Sequence, residues 1–487
     1  MKIRFSPRRG IALGCSALLL AVAAYAQAQK PTASPATAAG TGTGADTGQT
    51  LVFTGARLID GTGKAPVENA TIVVKGDRIV SAGASATSKG PKDAQTIDLK
   101  GKTVMPGIVT AHSHVGLTKA LSTPVPENYT RENVARQLAQ YESYGVTAVM
   151  SLGVNQDTLY TWRAEQREGK LPGADVFSAD RGIGVPRGVP PFPVPGEQVY
   201  RPTTPEEARA AVREAAGRKP DMLKLWLDDN FATMPKMPPE VYQAAIAEAH
   251  AAIDEAHKHG LRFAAHVFYL DDAKALLKAG IDVIGHSVRD QPVDAEFISM
   301  MKAKKTPYIP TLQLDETQFI MAEHPAWMDE PFFKAAVDPA LLASWLAPEY
   351  ATKMGANPNT PKNKAAAAMG QKNVKTLFDQ GVFVSFGTDS GALPTRIPGF
   401  GEHLELQLMV RAGLKPMDAI VCATSHSAET IGEGQNRGTL EAGKRADFIV
   451  LSANPLEDIR NTTKIEAVYH GGKRVEPATK HTAVAAR

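Results

Sequence analysis

The 487-residue sequence contains only two cysteines, Cys15 and Cys422. A chain with so few cysteines is not a small disulfide-stabilised scaffold. At this length and with 43% hydrophobic residues, it can bury a large core without covalent cross-links. Cys15 lies in an N-terminal segment with the pattern of an export signal, so the mature chain would retain Cys422 alone and form no intramolecular disulfide.

The sequence also lacks a strong charge of one sign. Its formal net charge is +3, and residues 1–28 carry four basic side chains and no acidic one. Removing those four positive charges leaves a net charge of −1 for residues 29–487. This balance gives no indication of a nucleic-acid-binding protein.

Long apolar runs are scarce, and the clearest lies near the N-terminus. Residues 11–25 follow a basic segment with Arg8 and Arg9 and precede Ala26-Gln-Ala28, which predicts a signal peptide over residues 1–28 for the general secretory or the twin-arginine route. The run is short for a bilayer span. We therefore expect a periplasmic or secreted protein without a stable membrane anchor. Residues 29–50, rich in Ala, Thr and Gly, predict a flexible linker.

Two patterns divide the rest of the chain into an α/β fold. Residues 51–102 and 437–478 alternate short β-type segments with turn residues, which predicts a small antiparallel β-domain, and residues 479–487 follow as a C-terminal tail. Residues 103–436 alternate apolar strands with helical patterns, which predicts a (β/α)8 barrel of the TIM type. The predicted barrel strands are 103–111, 145–152, 175–179, 222–227, 262–267, 282–286, 306–312 and 382–387.

Candidate metal ligands stand at five of these strands. The first ends in His112-Ser-His114, and because alternate residues of a strand share a face, both imidazoles can reach one ion. Barrels of this type carry their sites at the carboxyl ends of the strands, so the candidates are predicted to meet there. The other candidate ligands are Lys224, His266, His286 and Asp389.

The order His-x-His, Lys, His, His, Asp resembles the amidohydrolase superfamily of metal-dependent hydrolases, within it the imidazolonepropionase-like and prolidase-like branch. The resemblance runs from about residue 51 to residue 475 and includes Met105-Pro-Gly-Ile108, Gly387-Thr-Asp389 and Gly443-Lys-Arg-Ala-Asp447. It implies that the two β-rich ends form one β-sandwich beside the barrel. It further implies two metal sites, a more buried one held by His112, His114 and Asp389 and a more exposed one held by His266 and His286, with Lys224 shared.

Lys224 decides between one metal and two. A lysine ammonium has no lone pair, but in a dry pocket near cations its pKa falls, and the neutral amine can add carbon dioxide to form a carbamate. In binuclear members of the superfamily such a carboxylated lysine bridges two metals, and the apolar neighbours of Lys224 fit burial. The implied cofactors are two divalent ions. Zinc is favoured, while manganese, cobalt and iron suit the same donors.

The resemblance implies cleavage of a carbon–nitrogen amide bond, in a dipeptide or an N-acyl amino acid, by metal-activated hydroxide with Asp389 as general base and then general acid. Three positions after His266 stands Tyr269 rather than the Glu of a deaminase arrangement, which counts against nucleobase deamination. Three alternatives stay open: a mononuclear cyclic-amide hydrolase or deaminase, an ester or lactone hydrolase of the same superfamily, and a binding protein on an enzyme scaffold.

Substrate recognition is predicted at the mouth of the barrel. Two long segments without strand patterns, 181–201 and 313–370, would lie over it. Arg181, Arg289 and Tyr308, at or just past predicted strand ends, are candidates to bind a substrate carboxylate. The expected partner is a small molecule, and a homo-oligomer is compatible with the sequence.

Overall fold

The computed structural model describes residues 48–478 except 86–89, 93, 192–197 and 257–261. The predicted signal peptide, nearly all of the predicted linker and the predicted tail lie outside the described residues, as does part of segment 181–201. Among the helices that are described, none combines the length and the apolar character needed to cross a bilayer.

Strands predominate at the two ends of the described chain, and helices in its middle. The strands are β1 (Thr50–Leu58), β2 (Val67–Lys75), β3 (Arg78–Ala84), β4 (Gln95–Asp98), β5 (Thr103–Pro106), β6 (Ile108–Ser113), β7 (Val146–Ser151), β8 (Asp175–Ser178), β9 (Met222–Trp226), β10 (Arg262–His266), β11 (Val283–Gly285), β12 (Tyr308–Ile309), β13 (Phe448–Leu451), β14 (Ile465–His470) and β15 (Lys473–Val475). The helices are α1 (Arg131–Ser143), α2 (Thr158–Arg167), α3 (Pro205–Gly217), α4 (Pro239–Ala256), α5 (Leu270–Ala279), α6 (Ala295–Lys304), α7 (Gln313–Glu316), α8 (Pro331–Lys334), α9 (Pro339–Leu346), α10 (Pro348–Ala356), α11 (Thr360–Asp379), α12 (Phe400–Arg411), α13 (Pro416–Val421) and α14 (Ser427–Thr430).

Both ends of the described chain contribute to one small β-domain. Its strand order is β15-β14-β13-β5-β1-β2-β3, with β4 also paired to β1. In a flat sheet, three strand spacings of about 4.8 Å each would separate β14 from β1. The ring centroid of Phe53 on β1 nevertheless lies 4.8 Å from that of Tyr469 on β14. The sheet therefore curls on itself and encloses an apolar core.

The first predicted barrel strand is divided between the two parts of the molecule. We expected one strand over 103–111, and this was wrong. Thr103–Pro106 pairs with β13 and β1 in the small domain, whereas Ile108–Ser113 pairs with β7. Gly107 lies between the two strands, and a larger residue is excluded there because its Cβ atom would come within 2.5 Å of the Thr147 side chain. The strand that ends in the histidines thus begins at the junction of the two domains.

Two parallel sheets carry the candidate ligands. One has the order β6-β7-β8 and the other β12-β11-β10-β9. Every residue of β6, β7 and β9 is buried, as expected for parallel strands covered by helices. Backbone hydrogen bonds connect the two sheets along both sides. On one side Ile183 pairs with Leu225, and on the other the extended residues 383–386 bond to Tyr308 and Ala111.

This arrangement gives the expected α/β architecture, parallel strands with covering helices and a second small β-domain. The eighth predicted barrel strand, 382–387, is an extended segment with one bridge, between Val384 and Tyr308, rather than a regular strand. Several covering helices begin at side-chain caps. Thr130, Thr204 and Asp294 each accept a hydrogen bond from a backbone N–H in the first turn of α1, α3 and α6.

A buried ion cluster joins the small domain to helix α1 and to strand β8 of the parallel sheet β6-β7-β8. His470 at the end of β14 contacts Glu142 of α1 at 2.6 Å and Asp175, the first residue of β8, at 3.5 Å. Arg437 contacts the same Asp175 carboxylate at 2.6 Å. Burial lowers the pKa of His470, but the charges of Asp175 and Asp447 and its hydrogen bonds raise it to about 10. The imidazole is therefore protonated at neutral pH and pairs with carboxylates of α1 and β8.

We expect this contact to make stability depend on pH. The folded-state pKa of His470, about 10, exceeds its ordinary value of 6.5, so its contribution is fully present below pH 6.5 and is lost as the pH rises towards 10. His470→Gln should lower the free energy of unfolding by about 3 kcal/mol at pH 6.5 and by much less at pH 10. Calorimetric melting across this range measures the difference. His324→Gln, at an exposed position, is the control, and a pH-independent difference for His470→Gln would contradict the account.

Candidate metal centre and active-site cavity

The structure brings the six candidate ligands together at the carboxyl ends of the parallel strands. His112 lies at the end of β6 with His114 just beyond it, Lys224 lies on β9, and His266 ends β10. His286 follows β11, and Asp389 follows the extended residues 383–387. All six side chains are buried.

Asp389 lies at the centre of this group. Its Oδ1 atom is 3.3 Å from Nε2 of His112 and 3.0 Å from Nε2 of His114. Nε2 of His112 is also 3.4 Å from Nζ of Lys224. The ring centroid of His286 lies 4.3 Å from that of His112 and 4.1 Å from that of His266. One ligand atom from each of His112, His286 and Asp389 falls within 4.8 Å of the others.

Three of the histidines have one ring nitrogen occupied by a hydrogen bond from outside the group. Nδ1 of His114 lies 3.2 Å from the carbonyl oxygen of Gly153, and Nδ1 of His286 lies 2.7 Å from Oγ1 of Thr311. Nε2 of His266 lies 2.7 Å from Oδ2 of Asp228. Metal-ligating histidines are commonly oriented in this way, and the second nitrogen of each ring is left for a ligand.

Burial favours the neutral form of His112 and His286. It lowers the pKa of both residues well below 6.5. The charge of Lys224 lowers the pKa of His112 further, and that of His266 does the same for His286. Neutral imidazoles keep the lone pair that a metal ion requires. His112 further has a buried Nδ1 atom without a hydrogen-bond partner among the described residues.

Lys224 is 1% exposed and forms no ion pair with any described residue. Burial lowers its pKa from 10.5 to about 7, against the opposing charge of Asp389. Its Nζ atom lies 5.6 Å from the ring centroid of Trp226. A lysine in these surroundings holds a large share of neutral amine near neutral pH, which is the form able to react with carbon dioxide.

Two carboxylates, Asp389 and Asp228, contact these bases. Burial raises the pKa of Asp389, but the guanidinium of Arg396 and the hydrogen bonds of His112 and His114 hold it well below its usual range. Nη1 of Arg396 donates to Oδ2 of Asp389, the oxygen that does not face the histidines. Burial also raises the pKa of Asp228, but its hydrogen bond with His266 outweighs this effect and lowers the pKa to about 2. Both carboxylates are therefore ionised at neutral pH.

The backbone is strained where two of these side chains are presented. His286 has φ 84° and Asp389 has φ 58°, a region that non-glycine residues rarely adopt. The backbone N–H of His286 donates to the carbonyl of Ile309 at 2.8 Å, and that of Asp389 donates to the carbonyl of His112 at 2.9 Å. These hydrogen bonds to neighbouring strands stabilise conformations that would otherwise cost about 1–3 kcal/mol each.

A cavity of about 330 Å³ opens onto the cluster. His112 and Lys224 do not line it and form the deeper part of the group. The predicted segments 181–201 and 313–370 both contribute to its walls, the second largely as helices. Its lining comprises His114, His266, His286, Asp389, Asp228, Arg289, Asp315, Arg396, Trp226, Phe231, Phe268, Leu314, Leu393, Val154, Val189, Pro190, Pro191, Ala392, Gln318, Asn230, Asn357, Asn359 and Asn363.

Of the three predicted substrate-binding residues, the structure places only Arg289 in the cavity wall. Arg181 instead pairs with Asp157 at 2.7 Å and Glu214 at 3.4 Å. Tyr308 lies in the apolar core, where its hydroxyl oxygen accepts a hydrogen bond from the N–H of Val288 at 2.8 Å. Arg181 is held by local acids and Tyr308 is fully buried, so neither is positioned to meet a substrate.

Sequence reasoning missed Asp228, Thr311 and Arg396. Asp228 directly follows the predicted strand 222–227, so its position at a strand end was a usable signal. Thr311 lies near the end of the predicted strand 306–312 and could have been found in the same way. Arg396 lies in the loop between Asp389 and α12, where no periodic pattern indicates which side chain turns towards the site.

The donor set fits divalent metal ions. Four imidazoles, one carboxylate and a lysine that can become a carbamate supply nitrogen and oxygen ligands of the kind that zinc and its neighbours bind. Nδ1 of His112 has no hydrogen-bond partner among the described residues, and the amine of Lys224 contacts an imidazole nitrogen of His112 rather than a carboxylate there, so the group has room for a further ligand.

Parallel strands with covering helices, and with imidazoles and a carboxylate gathered at the carboxyl ends of the strands, are the arrangement of a metal-dependent hydrolase. A family model for the amidohydrolase family matches residues 103–475, which is more than half of the chain, and the chain therefore belongs to this family. The membership predicted from the sequence is confirmed. The family is metal-dependent, and the protein is a hydrolase acting on carbon–nitrogen bonds.

Relatives cover most of the chain. An ochratoxinase of Aspergillus niger is 25% identical over 460 residues, 87% of this chain and 86% of its own. A 5-methylthioadenosine/S-adenosylhomocysteine deaminase of Symbiobacterium thermophilum is 26% identical over 434 residues, 83% and 86% of the two chains. The crystal structure of a Xaa-Pro dipeptidase with bound methionine in the active site has a TM-score of 0.69 at 24% identity, covering 88% of this chain and 100% of that one.

We expect Asp228→Asn to weaken metal binding without unfolding the protein. Loss of the carboxylate that orients His266 should lower the affinity for one of the bound ions by about 10–100-fold. Titration of metal-free protein with zinc against a chelating indicator measures this affinity. Asp229→Asn, which removes a neighbouring carboxylate that bonds Tyr269, is the matched control and should leave the affinity unchanged. Equal affinities for wild type and Asp228→Asn would contradict the role of Asp228.

Proposed function

We propose that the protein is an exported binuclear amidohydrolase that cleaves the amide bond of a dipeptide or an N-acyl amino acid. The observation that carries the binuclear proposal is the state of Lys224, which is buried beside His112 without a carboxylate partner among the described residues. Such a lysine is costly as an ammonium. As a carbamate it becomes an anion with two ligand oxygens and matches the surrounding nitrogen bases.

The ligands divide into two sets. His112, His114 and Asp389 share contacts of 3.0–3.3 Å and would hold the deeper ion. His266 and His286, whose rings lie 4.1 Å apart and line the cavity, would hold the outer ion. Carboxylated Lys224 would serve both. When bound, the ions would acidify a water molecule and polarise the scissile carbonyl group.

Asp389 is the residue of this chain that moves the proton. Its Oδ1 atom faces the deeper histidines while Arg396 engages Oδ2. The carboxylate is thereby held at the edge of the cavity, where it can take the proton of the attacking water and pass it to the leaving nitrogen. Its low pKa ensures that it starts as the base.

Amide hydrolysis is favoured over deamination by the residue three positions after His266. This residue, Tyr269, bonds Asp229 through its hydroxyl group at 2.7 Å and supplies no carboxylate to the site. A Xaa-Pro dipeptidase among the structural relatives supports amide hydrolysis, whereas the deaminase relative names the alternative reaction, so the choice rests on Tyr269. Export is proposed from residues 1–28 alone, which lie outside the described residues.

Replacing Asp389 with asparagine tests the mechanism. We expect Asp389→Asn to lower kcat by about 10³-fold because the amide cannot carry the proton. Purified protein would be assayed for amine release from N-acetyl-L-phenylalanine and from glycyl-L-phenylalanine, with circular dichroism melting to show that the fold is retained. Asp229→Asn is the control and should keep its activity. Wild-type turnover in Asp389→Asn would overturn the mechanism.

A further inference from the structure

A buried carboxylate of α12 lies beside the metal centre and has no part in the proposed mechanism. The side chain of Glu402 is fully buried. Its Oε1 atom accepts hydrogen bonds from the hydroxyl groups of Thr388 at 2.6 Å and Ser113 at 3.3 Å, and its Oε2 atom accepts one from the backbone N–H of Gly399 at 2.8 Å. These partners are neutral donors rather than cations. Burial raises the pKa of Glu402 to about 7, so a carboxylate is a costly choice at this position.

Capping of α12 accounts for only one of the two oxygens of Glu402. Oε2 bonds the N–H of Gly399, the residue before the helix, as in a capping box. A glutamine would serve this cap equally well with its single carbonyl oxygen. Oε1 instead accepts from two side chains outside the helix. The second acceptor oxygen is therefore what distinguishes a carboxylate from an amide here.

Three hydroxyl groups form a network that ends at Glu402. Oγ of Ser113 lies 2.8 Å from Oγ1 of Thr110 and 2.9 Å from Oγ1 of Thr388. Each hydroxyl group has one proton to donate. Because the Thr388 hydroxyl donates to Glu402, it accepts from Ser113, and it also accepts from the backbone N–H of Ser390 at 3.1 Å. The carboxylate thus fixes the orientation of the whole network.

The hydroxyl network joins the two segments that carry the ligands proposed for the deeper ion. Ser113 lies between His112 and His114, and Thr388 directly precedes Asp389. The backbone N–H groups of Thr388 and Asp389 both donate to the carbonyl oxygen of His112, at 2.8 and 2.9 Å. Side-chain and backbone hydrogen bonds together therefore set the spacing of these two segments.

A second buried carboxylate of α12 supports the same segment. Oε2 of Glu405 accepts a hydrogen bond from the backbone N–H of Gln313 at 2.9 Å. Nε2 of Gln313 donates to the carbonyl oxygen of Thr388 at 2.8 Å and to Oγ of Ser390 at 2.9 Å. Both neighbours of Asp389 are thereby bonded, and this support stabilises its left-handed backbone conformation, with φ 58°.

We propose that Glu402 is a positioning residue of the metal centre. Through the hydroxyl groups of Ser113 and Thr388, it sets the distance between Asp389 and the histidine pair and thereby raises the affinity for the deeper ion. This assignment rests on the proposed division of the ligands between a deeper and an outer ion. It adds a residue that contacts none of the proposed ligands and acts through their neighbours.

Amide hydrogen exchange of the zinc-loaded protein, followed by mass spectrometry, tests the positioning. In Glu402→Met, which removes both acceptor oxygens, the amides of residues 388–390 should exchange about 10-fold faster than in wild type. Glu402→Gln keeps one carbonyl oxygen and should give a smaller increase. The control is His403→Gln, on the same helix and equally buried, whose imidazole bonds Thr462 and Tyr144 and whose loss should leave these amides unchanged.

Competition for zinc between the loaded protein and a chelating indicator tests the effect on the metal centre. Affinity for one of the two ions should fall about 10-fold in Glu402→Met, as for other groups behind metal ligands, and by less in Glu402→Gln. His403→Gln should bind zinc as wild type does. Because Asp228 orients His266 of the outer pair, Asp228→Asn combined with Glu402→Met should show both losses, each at its own ion.

Three results would overturn the proposal. The first is wild-type exchange and wild-type zinc affinity in Glu402→Met. The second is faster exchange with unchanged zinc affinity, because Glu402 would then have a structural role alone. The third is an equal loss of zinc affinity in His403→Gln, because the effect would then be general to α12.

Neither measurement involves turnover, so failure of this proposal and failure of the proposed function are distinguishable. If exchange and zinc affinity depend on Glu402 but no amide is cleaved, the positioning role stands and the proposed hydrolysis is wrong. If amides are cleaved while neither measurement depends on Glu402, the reverse holds. A single zinc ion in wild type, with an affinity that still depends on Glu402, would contradict the binuclear site and support the positioning role.

Discussion

The site depends on concentrating nitrogen bases where water is excluded. Four imidazoles and the amine of Lys224 are buried together. Burial lowers the pKa of His112, His286 and Lys224, and repulsion between neighbouring bases lowers those of His112 and His286 further. Protonating all of them in such surroundings would be prohibitive, since each buried charge needs a partner. His112, His286 and Lys224 are therefore favoured as neutral bases, whose lone pairs a divalent metal ion can bind.

The fold brings these nitrogen bases together and keeps water away from them. Parallel strands bring residues that are distant in the chain to one edge, and helices on the outer faces exclude water. Outer contacts then fix each base, with Gly153 and Asp228 holding His114 and His266. Strained conformations at His286 and Asp389 persist because hydrogen bonds from their backbone N–H groups to neighbouring strands hold them. The ion cluster around His470 joins the small domain to α1 and β8.

Much of this could be predicted from the sequence, because strand ends are marked by a change from apolar to polar residues. That signal located His112, His266 and His286 and the order that indicates the family. Gly107 could not be assigned as a break between two strands, because the apolar pattern continues across it. Likewise, Arg396 was not identifiable, since the direction of a loop side chain depends on tertiary contacts.

The candidate substrate anchors show the same limit. Arg181 and Tyr308 have the expected chemistry and a plausible place in the chain, yet one pairs with local acids and the other fills the core. Position at a strand end decides whether a residue is near the site. It does not decide which way a long side chain turns, because neighbouring charges and packing determine that.

The most direct test of the account is the number of metal ions per chain. Elemental mass spectrometry of the purified protein, expressed with bicarbonate and zinc supplied, should give about two ions per wild-type chain, and about one or fewer in Lys224→Met, which cannot form a carbamate. Lys236→Met, whose lysine already pairs with Asp272, is the control and should retain two. One ion in both wild type and Lys224→Met would contradict the bridging role of Lys224, and none after reconstitution would contradict the metal centre itself.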